Sequence, residues 1–136
     1  MVRLSPTNIL WVDCTAAGVA GALTLLLRDW LAALYAIPVD LLTITALVNL
    51  AYGNYSFSLA LRAHRPAALI KLLAMANAMW APVCIGLVIY WWPMLSGFAV
   101  AHYLGEAAIV VTLAVLEWRW RYRLVTADKS PPPDSG

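Results

Sequence analysis

Apolar residues fill four long segments of this chain, and short breaks containing charged residues or proline separate them. A helix needs about 20 mostly apolar residues to cross a bilayer. The pattern therefore predicts four membrane spans, at residues 8–27, 41–61, 72–91 and 98–118. Because short loops connect them, we expect one helical bundle, a single membrane domain over residues 1–124.

Two segments outside the spans have patterns of their own. Residues 29–37 contain Trp30 and Tyr35, and aromatic rings of this kind favour the level of the membrane interface. A short helix lying in the interface is therefore predicted after the first span. The tail at 125–136 has no apolar face and contains three consecutive prolines, which predicts disorder.

The composition supports an all-α integral membrane protein. Hydrophobic residues make up 63% of the chain and charged residues only 12%, about half the share of a soluble domain. The basic residues are not clustered as a nucleic-acid surface would require, so no nucleic-acid partner is expected. No His or Cys group has metal-ligand spacing and no nucleotide-binding motif is present, so we expect neither a metal nor a cofactor.

The positions of lysine and arginine predict the orientation of the four spans. Eight of the nine basic residues fall on one side of the membrane, and Arg28 alone falls on the other. The eight are Arg3, Arg62, Arg65, Lys71, Arg119, Arg121, Arg123 and Lys129. By the positive-inside rule both termini are cytoplasmic, in what we expect to be a bacterial inner membrane.

Several polar residues interrupt the spans themselves, and such residues usually face a bundle interior. At a rise of about 1.5 Å per residue, equal distance from the cytoplasmic interface means similar depth. This reasoning predicts a cytoplasmic-side polar layer and a second layer at the midplane. The first contains Asp13, Ser56, Asn77 and Thr112, and the second contains Asn49 and Glu106.

Glu106 and His102 are the candidate catalytic residues. They lie four residues apart on one helix face, as an acid–base pair sharing a proton would. Glu106 is otherwise a protonated acid that bonds Asn49 and holds two helices together, and His102 a wetted histidine near the outer face. The sequence leaves both interpretations open.

Six further residues are predicted to bind a ligand within the membrane. Trp80 could stack on a cationic or unsaturated molecule or pack in the core, and Asp13 could act as a second carboxylate or pair with Arg62 or Lys71. Buried tyrosine hydroxyls need partners and could face the same cavity. The six are Asp13, Asn49, Tyr52, Tyr55, Asn77 and Trp80.

Two resemblances bear on these residues. The segments 49–62 and 117–121 resemble small four-span bacterial membrane proteins of uncharacterised families, which implies four spans and nothing about activity. The His102/Glu106 and Asn77/Trp80 spacings are chemically similar to those of emopamil-binding-type sterol isomerases. The order of the two pairs along the chain differs, so this similarity is an analogy.

These observations favour a membrane protein whose polar cavity binds a lipid or small lipophilic molecule. Three alternatives stay open. The chain could be an isomerase or cyclase with a Glu/His proton shuttle, a small proton-coupled transporter, or an accessory subunit of a larger membrane complex. Its partners would be the membrane lipid or lipophilic ligand, with a homo-oligomer or a larger complex as further possibilities.

Overall fold

Five α-helices make up most of the described part of the chain in the computed structural model, which describes Ser5 and residues 8–125. They are α1 (Ile9–Leu26), α2 (Arg28–Tyr35), α3 (Val39–Leu61), α4 (Ala67–Trp91) and α5 (Gly97–Arg119). No strand occurs in these described residues, which confirms the all-α prediction. The tail predicted to be disordered lies outside the described residues, except for Val125.

Three of the helices, α1, α4 and α5, are long and apolar enough to cross a membrane. They support an integral membrane protein. Helix α3 has 23 residues and is equally long, but it is not one of the three. Its sequence carries more polar side chains than the others, among them Asn49, Asn54 and Ser58.

The outer surface of the helices is largely apolar. Val19, Ile44, Met79 and Ile109 are each more than half exposed, on four different helices. A soluble protein does not leave such large apolar surfaces open to water, whereas a lipid environment accommodates them. The surface therefore agrees with the composition of the three apolar helices.

The long helices form two antiparallel pairs. Helix α1 packs along α3 and helix α4 packs along α5, whereas α1 touches α5 at few points. The start of α1, the loop at 62–66 and residues 120–125 lie at one end, called here the basic end. Helix α2 and the loop at 92–96 lie at the opposite end, called here the α2 end.

Glycine lets α1 and α3 approach closely. A Cβ atom on Gly21 would lie 2.9 Å from the backbone oxygen of Ala46, and one on Gly53 would lie 3.1 Å from the backbone nitrogen of Gly18. The sequence 17–21 predicts a small-residue packing face on α1, and α3 is the helix that packs there. The contact is between backbones, so a larger residue would separate the helices.

Arg65 closes the basic end. Its guanidinium donates to the carbonyl oxygens of Leu59 (2.6 Å), Ala60 (3.2 Å) and Leu124 (3.1 Å), and its backbone N–H donates to Val125 O (2.6 Å). The side chain is only 6% exposed, and this burial lowers its pKa. It donates to two carbonyls in the last turn of α3 and connects them to the segment after α5; the Leu59 oxygen also accepts from the N–H of Arg62.

At the α2 end, the last turn of α2 holds the loop before α5. The backbone N–H of Ser96 donates to the carbonyl oxygen of Tyr35 at 3.2 Å. Ala36 then reverses the chain in the left-handed region, with φ 59°, before Pro38 precedes α3. Helix α2 is thereby fixed over the bundle, in the place of the predicted short helix.

The buried apolar residues form two clusters. One lies toward the α2 end and includes Leu31, Leu42, Cys84 and Val88. The other lies toward the basic end and includes Ile9, Leu59, Ile70, Leu73 and Leu113. Most of the buried polar groups described below lie between these two clusters.

We expect Gly21→Ala to destabilise the protein, because the new methyl group would meet backbone and Leu50 at about 3 Å. Overpacking of this kind typically costs about 1–3 kcal/mol. Gly86→Ala is the matched control, since its Cβ would have no neighbour within 4 Å and alanine is the better helix former. Thermal unfolding in mild detergent should show a lower midpoint for Gly21→Ala alone, and equal midpoints would contradict the close α1–α3 contact.

Candidate functional site

A pocket of about 490 Å³ lies between the α1/α3 pair and the α4/α5 pair. Small and aliphatic residues of α1 and α5 form much of its wall, including Ala16, Ala17, Ala20, Ile109, Val110 and Leu113. Seven polar or aromatic residues also line it: Asp13, Asn49, Tyr52, Asn77, Trp80, His102 and Glu106. These seven were all predicted site residues, and the fold brings them to one place.

Glu106 is the centre of the hydrogen bonds in the pocket. Its Oε1 accepts from Trp80 Nε1 at 2.8 Å and from Asn49 Nδ2 at 3.3 Å, and its Oε2 lies 3.2 Å from His102 Nε2. The three partners come from α4, α3 and α5. Trp80 therefore presents the N–H edge of its ring to Glu106, and the carboxyl group links three helices.

Tyr35 extends this network to the α2 end. Its hydroxyl lies 2.8 Å from His102 Nδ1, the ring nitrogen that faces away from Glu106. Burial, and then the charge of Glu106, raise the pKa of the Tyr35 phenol, so it remains neutral. When Glu106 is ionised, His102 donates from Nε2 and accepts from Tyr35 at Nδ1.

The three groups form a continuous hydrogen-bonded chain, so a proton taken up at the Tyr35 oxygen could be passed through His102 to Glu106 with Tyr35 left neutral. Tyr35 could not be predicted as a partner from the sequence because it lies 67 positions from His102. Only its expected interfacial position was visible in the sequence.

Asp13 has hydroxyl partners from α3. Its Oδ2 accepts from Tyr52 Oη at 2.7 Å and from Ser56 Oγ at 3.0 Å. The alternative prediction of an ion pair with Arg62 or Lys71 is wrong, because no lysine or arginine within residues 8–125 pairs with Asp13. Lys71 instead lies over the ring of Tyr122, 5.7 Å from its centroid.

Glu117 is a buried carboxyl group that was not among the predicted site residues. It is 0% exposed, and its Oε2 accepts from Asn77 Nδ2 at 3.0 Å. It lies one residue before the end of the predicted span, and it was assigned to neither polar layer. The signal that could have revealed it is periodicity, because Glu117 follows Glu106 by eleven residues, three turns along the same helix face.

Two residues lie elsewhere than predicted. Tyr55 does not line the pocket, because its hydroxyl donates to the carbonyl oxygen of Leu69 at 3.0 Å and joins α3 to α4. Thr112 was expected in the cytoplasmic-side polar layer, but its side chain is exposed and donates to Ala108 O, at 2.8 Å, in its own helix. A threonine can satisfy itself in this way, so its presence in a span did not require an interior position.

The arrangement is suited to hydrogen bonding and proton transfer. Within residues 8–125 no group of three or more His, Cys, Asp or Glu side chains could hold a metal ion. Cys14 and Cys84 are buried free thiols in different helices. The reactive groups that reach the pocket are therefore carboxyls, an imidazole, amides and a phenol.

We expect Glu106→Leu to destabilise the protein much more than Glu106→Gln does. Leucine would leave the Trp80 and Asn49 N–H donors without an acceptor, at about 1–3 kcal/mol for each buried group. Glutamine keeps the acceptor oxygen, and His102 can switch tautomer to accept from its amide. Thermal unfolding would test the order, and equal losses for the two variants would contradict the three-donor arrangement.

Comparison with known proteins adds no family to this picture. No protein-family model, curated protein or solved structure matches the chain. The resemblance to small four-span bacterial membrane proteins therefore stays a prediction, and function has to be inferred from the pocket itself.

Proposed function

We propose that this protein binds a small lipophilic molecule within the membrane, in the pocket between its two helix pairs. The main support is that Asn49, Trp80 and His102 all bond Glu106 in the wall of a pocket of about 490 Å³. That volume is in the range of small-molecule sites, which combine an apolar lining with a few placed polar groups.

The lining also indicates the kind of ligand. None of the described lysine and arginine residues lines the pocket, while the carboxyl group of Glu106 does and its side chain remains 16% exposed. Asn49, Trp80 and His102 hold both of its oxygens in place in the pocket wall. A ligand with an apolar body and a cationic or hydrogen-bond-donating head would place that head at Glu106.

The proposal includes a four-span arrangement in which α3 crosses the membrane with α1, α4 and α5. Helix α3 is longer than α1 and has the same length as α5, and several of its polar side chains point inward, including Asn49, Tyr52 and Ser56. Its exposed face contains Ile44, Leu47 and Phe57. Inward polar groups lower the average hydropathy of a span without exposing polar surface to lipid.

With four spans, the basic end faces the cytoplasm of a bacterial cell. The positive-inside rule places the 62–66 loop inside, together with both termini, and the 92–96 loop outside. With three spans and α3 outside the bilayer, the same rule would still place the 62–66 loop inside and the 92–96 loop outside, but α2 would lie on the side of the 62–66 loop. The side on which α2 lies therefore distinguishes the arrangements.

We expect a membrane-impermeant maleimide to label Ala33→Cys and Met94→Cys, and not Ala63→Cys, in intact spheroplasts. All three positions are exposed, and the native Cys14 and Cys84 are buried, so the unsubstituted protein serves as the blank. Labelling of Ala63→Cys after lysis would show that the site is reactive. Labelling of Met94→Cys without Ala33→Cys would overturn the four-span arrangement, and labelling of Ala63→Cys before lysis would overturn its orientation.

For the ligand, we expect protein purified in mild detergent to retain a specific lipophilic molecule, detected by native mass spectrometry and solvent extraction. Ala20→Phe should lose it by filling the pocket, and Glu106→Gln should lose it by removing the carboxylate. Ala78→Phe is the matched control, because Ala78 is exposed on α4 and does not line the pocket.

Retention by the wild type and Ala78→Phe with loss from the two pocket variants would support the binding site. A wild-type protein that is folded and empty, or a molecule retained equally by all four proteins, would contradict it. An empty, folded protein would favour the accessory-subunit alternative instead.

A further inference from the structure

Asp13 of α1 and Glu117 of α5 bring two carboxyl groups together inside the bundle, below the pocket toward the basic end. They are 1% and 0% exposed, respectively, and the two side chains lie within hydrogen-bonding reach of each other. Two ionised carboxylates in such a site would repel strongly and would both be deprived of water. Some other group has to compensate for them.

Among the described residues no lysine or arginine pairs with these carboxyl groups. The contact between His102 and Glu106 is the one approach of a basic or histidine side chain to a carboxyl group found among residues 8–125, and it lies in the other polar layer. Three of the basic residues at this end have other partners. Arg65 is bound to backbone carbonyls, and Lys71 and Arg121 lie over aromatic rings.

One carboxyl oxygen of the pair has no hydrogen-bond donor among the described residues. Tyr52 and Ser56 both donate to Asp13 Oδ2, and Asn77 donates to Glu117 Oε2. Glu117 Oε1 is fully enclosed and receives no hydrogen from any N–H or hydroxyl donor among the described residues. A buried carboxylate oxygen without a donor is costly, but a protonated carboxyl group supplies its own hydrogen.

We propose that Asp13 and Glu117 form a proton-binding site, in which the two carboxyl groups share one proton at neutral pH. The shared proton lies between the two side chains and provides the hydrogen bond that Glu117 Oε1 lacks. One negative charge remains, and the donors from Tyr52, Ser56 and Asn77 stabilise it. Every element packed around the pair is then accounted for: α1 and α5 supply the acids, and α3 and α4 supply neutral donors.

The shared proton joins the two halves of the fold. Asp13 belongs to the α1/α3 pair and Glu117 to the α4/α5 pair. Elsewhere α1 and α5 touch at few points. Removing the proton would place two like charges on opposite sides of that interface. Asp13, Tyr52 and Asn77 also line the pocket, so the proton-binding site and the pocket share part of one wall.

Infrared spectroscopy of the purified protein tests this site without any ligand. At neutral pH the wild type should show the C=O stretch of a protonated carboxylic acid, shifted on exchange into D₂O. Glu117→Gln and Asp13→Asn should each lose that band, because in either variant a neutral amide donates to the remaining carboxylate. Glu106→Gln is the matched control on the same helix and should keep it.

A wild type without the band, a band that survives both Glu117→Gln and Asp13→Asn, or a band lost only in Glu106→Gln would overturn the proposal. The amide variants imitate the protonated pair, so we expect both to remain folded. As pH rises, the wild type should lose thermal stability when the proton leaves, whereas Glu117→Gln should not. The same alkaline loss in wild type and Glu117→Gln would also overturn it, whatever becomes of the ligand proposal.

Discussion

Hydrocarbon offers no partner for a hydrogen bond, so a polar side chain carried into a membrane has to find its partner on another part of the protein. The polar groups of this bundle follow that constraint closely. Asp13 bonds residues of α3, Asn77 bonds Glu117 of α5, and Glu106 collects donors from three helices. Helix contacts, pocket and both proposals depend on these pairings.

The pairings differ in what they connect. Gly18, Gly21 and Gly53 bring α1 and α3 into backbone contact, which makes that pair a unit held by packing. The bond between Asn49 and Glu106, by contrast, crosses from one pair to the other. Polar contacts across a sparsely packed boundary are easier to rearrange than interdigitated side chains. A pocket is expected at such a boundary, and it is found there.

The sequence predicted the helices well because their signals are local. Apolar runs ending at charged residues or proline placed the four long helices within a few residues of their observed positions, and the aromatic segment 29–37 located α2. The stripe on α3 correctly placed Asn49, Tyr52 and Ser56 in the interior. Whether α3 spans the bilayer, and on which side the termini lie, is a matter for the labelling experiment.

The partners were harder to predict than the positions. Glu117 was overlooked because the depth of each residue in the membrane was judged from the end of its apolar segment. In the structure, residues 120–125 turn back and cover that end of α5. Tyr55 was assigned to the cavity because tyrosine needs a partner, but a backbone carbonyl served equally well. Hydrogen-bond partners depend on tertiary contacts between distant segments, which the pattern of a single chain does not record.

The polar content of α3 has a consequence for how the protein is made. In the proposed four-span arrangement, α3 would leave the translocation channel with Tyr52 and Ser56 uncovered unless α1 were already beside it, since Asp13 is their partner. Helix α1 is synthesised first and is long and apolar enough to cross a membrane. In that arrangement α1 would already lie beside α3 when α3 inserts, so the two helices would enter the membrane as a hairpin and not as independent segments.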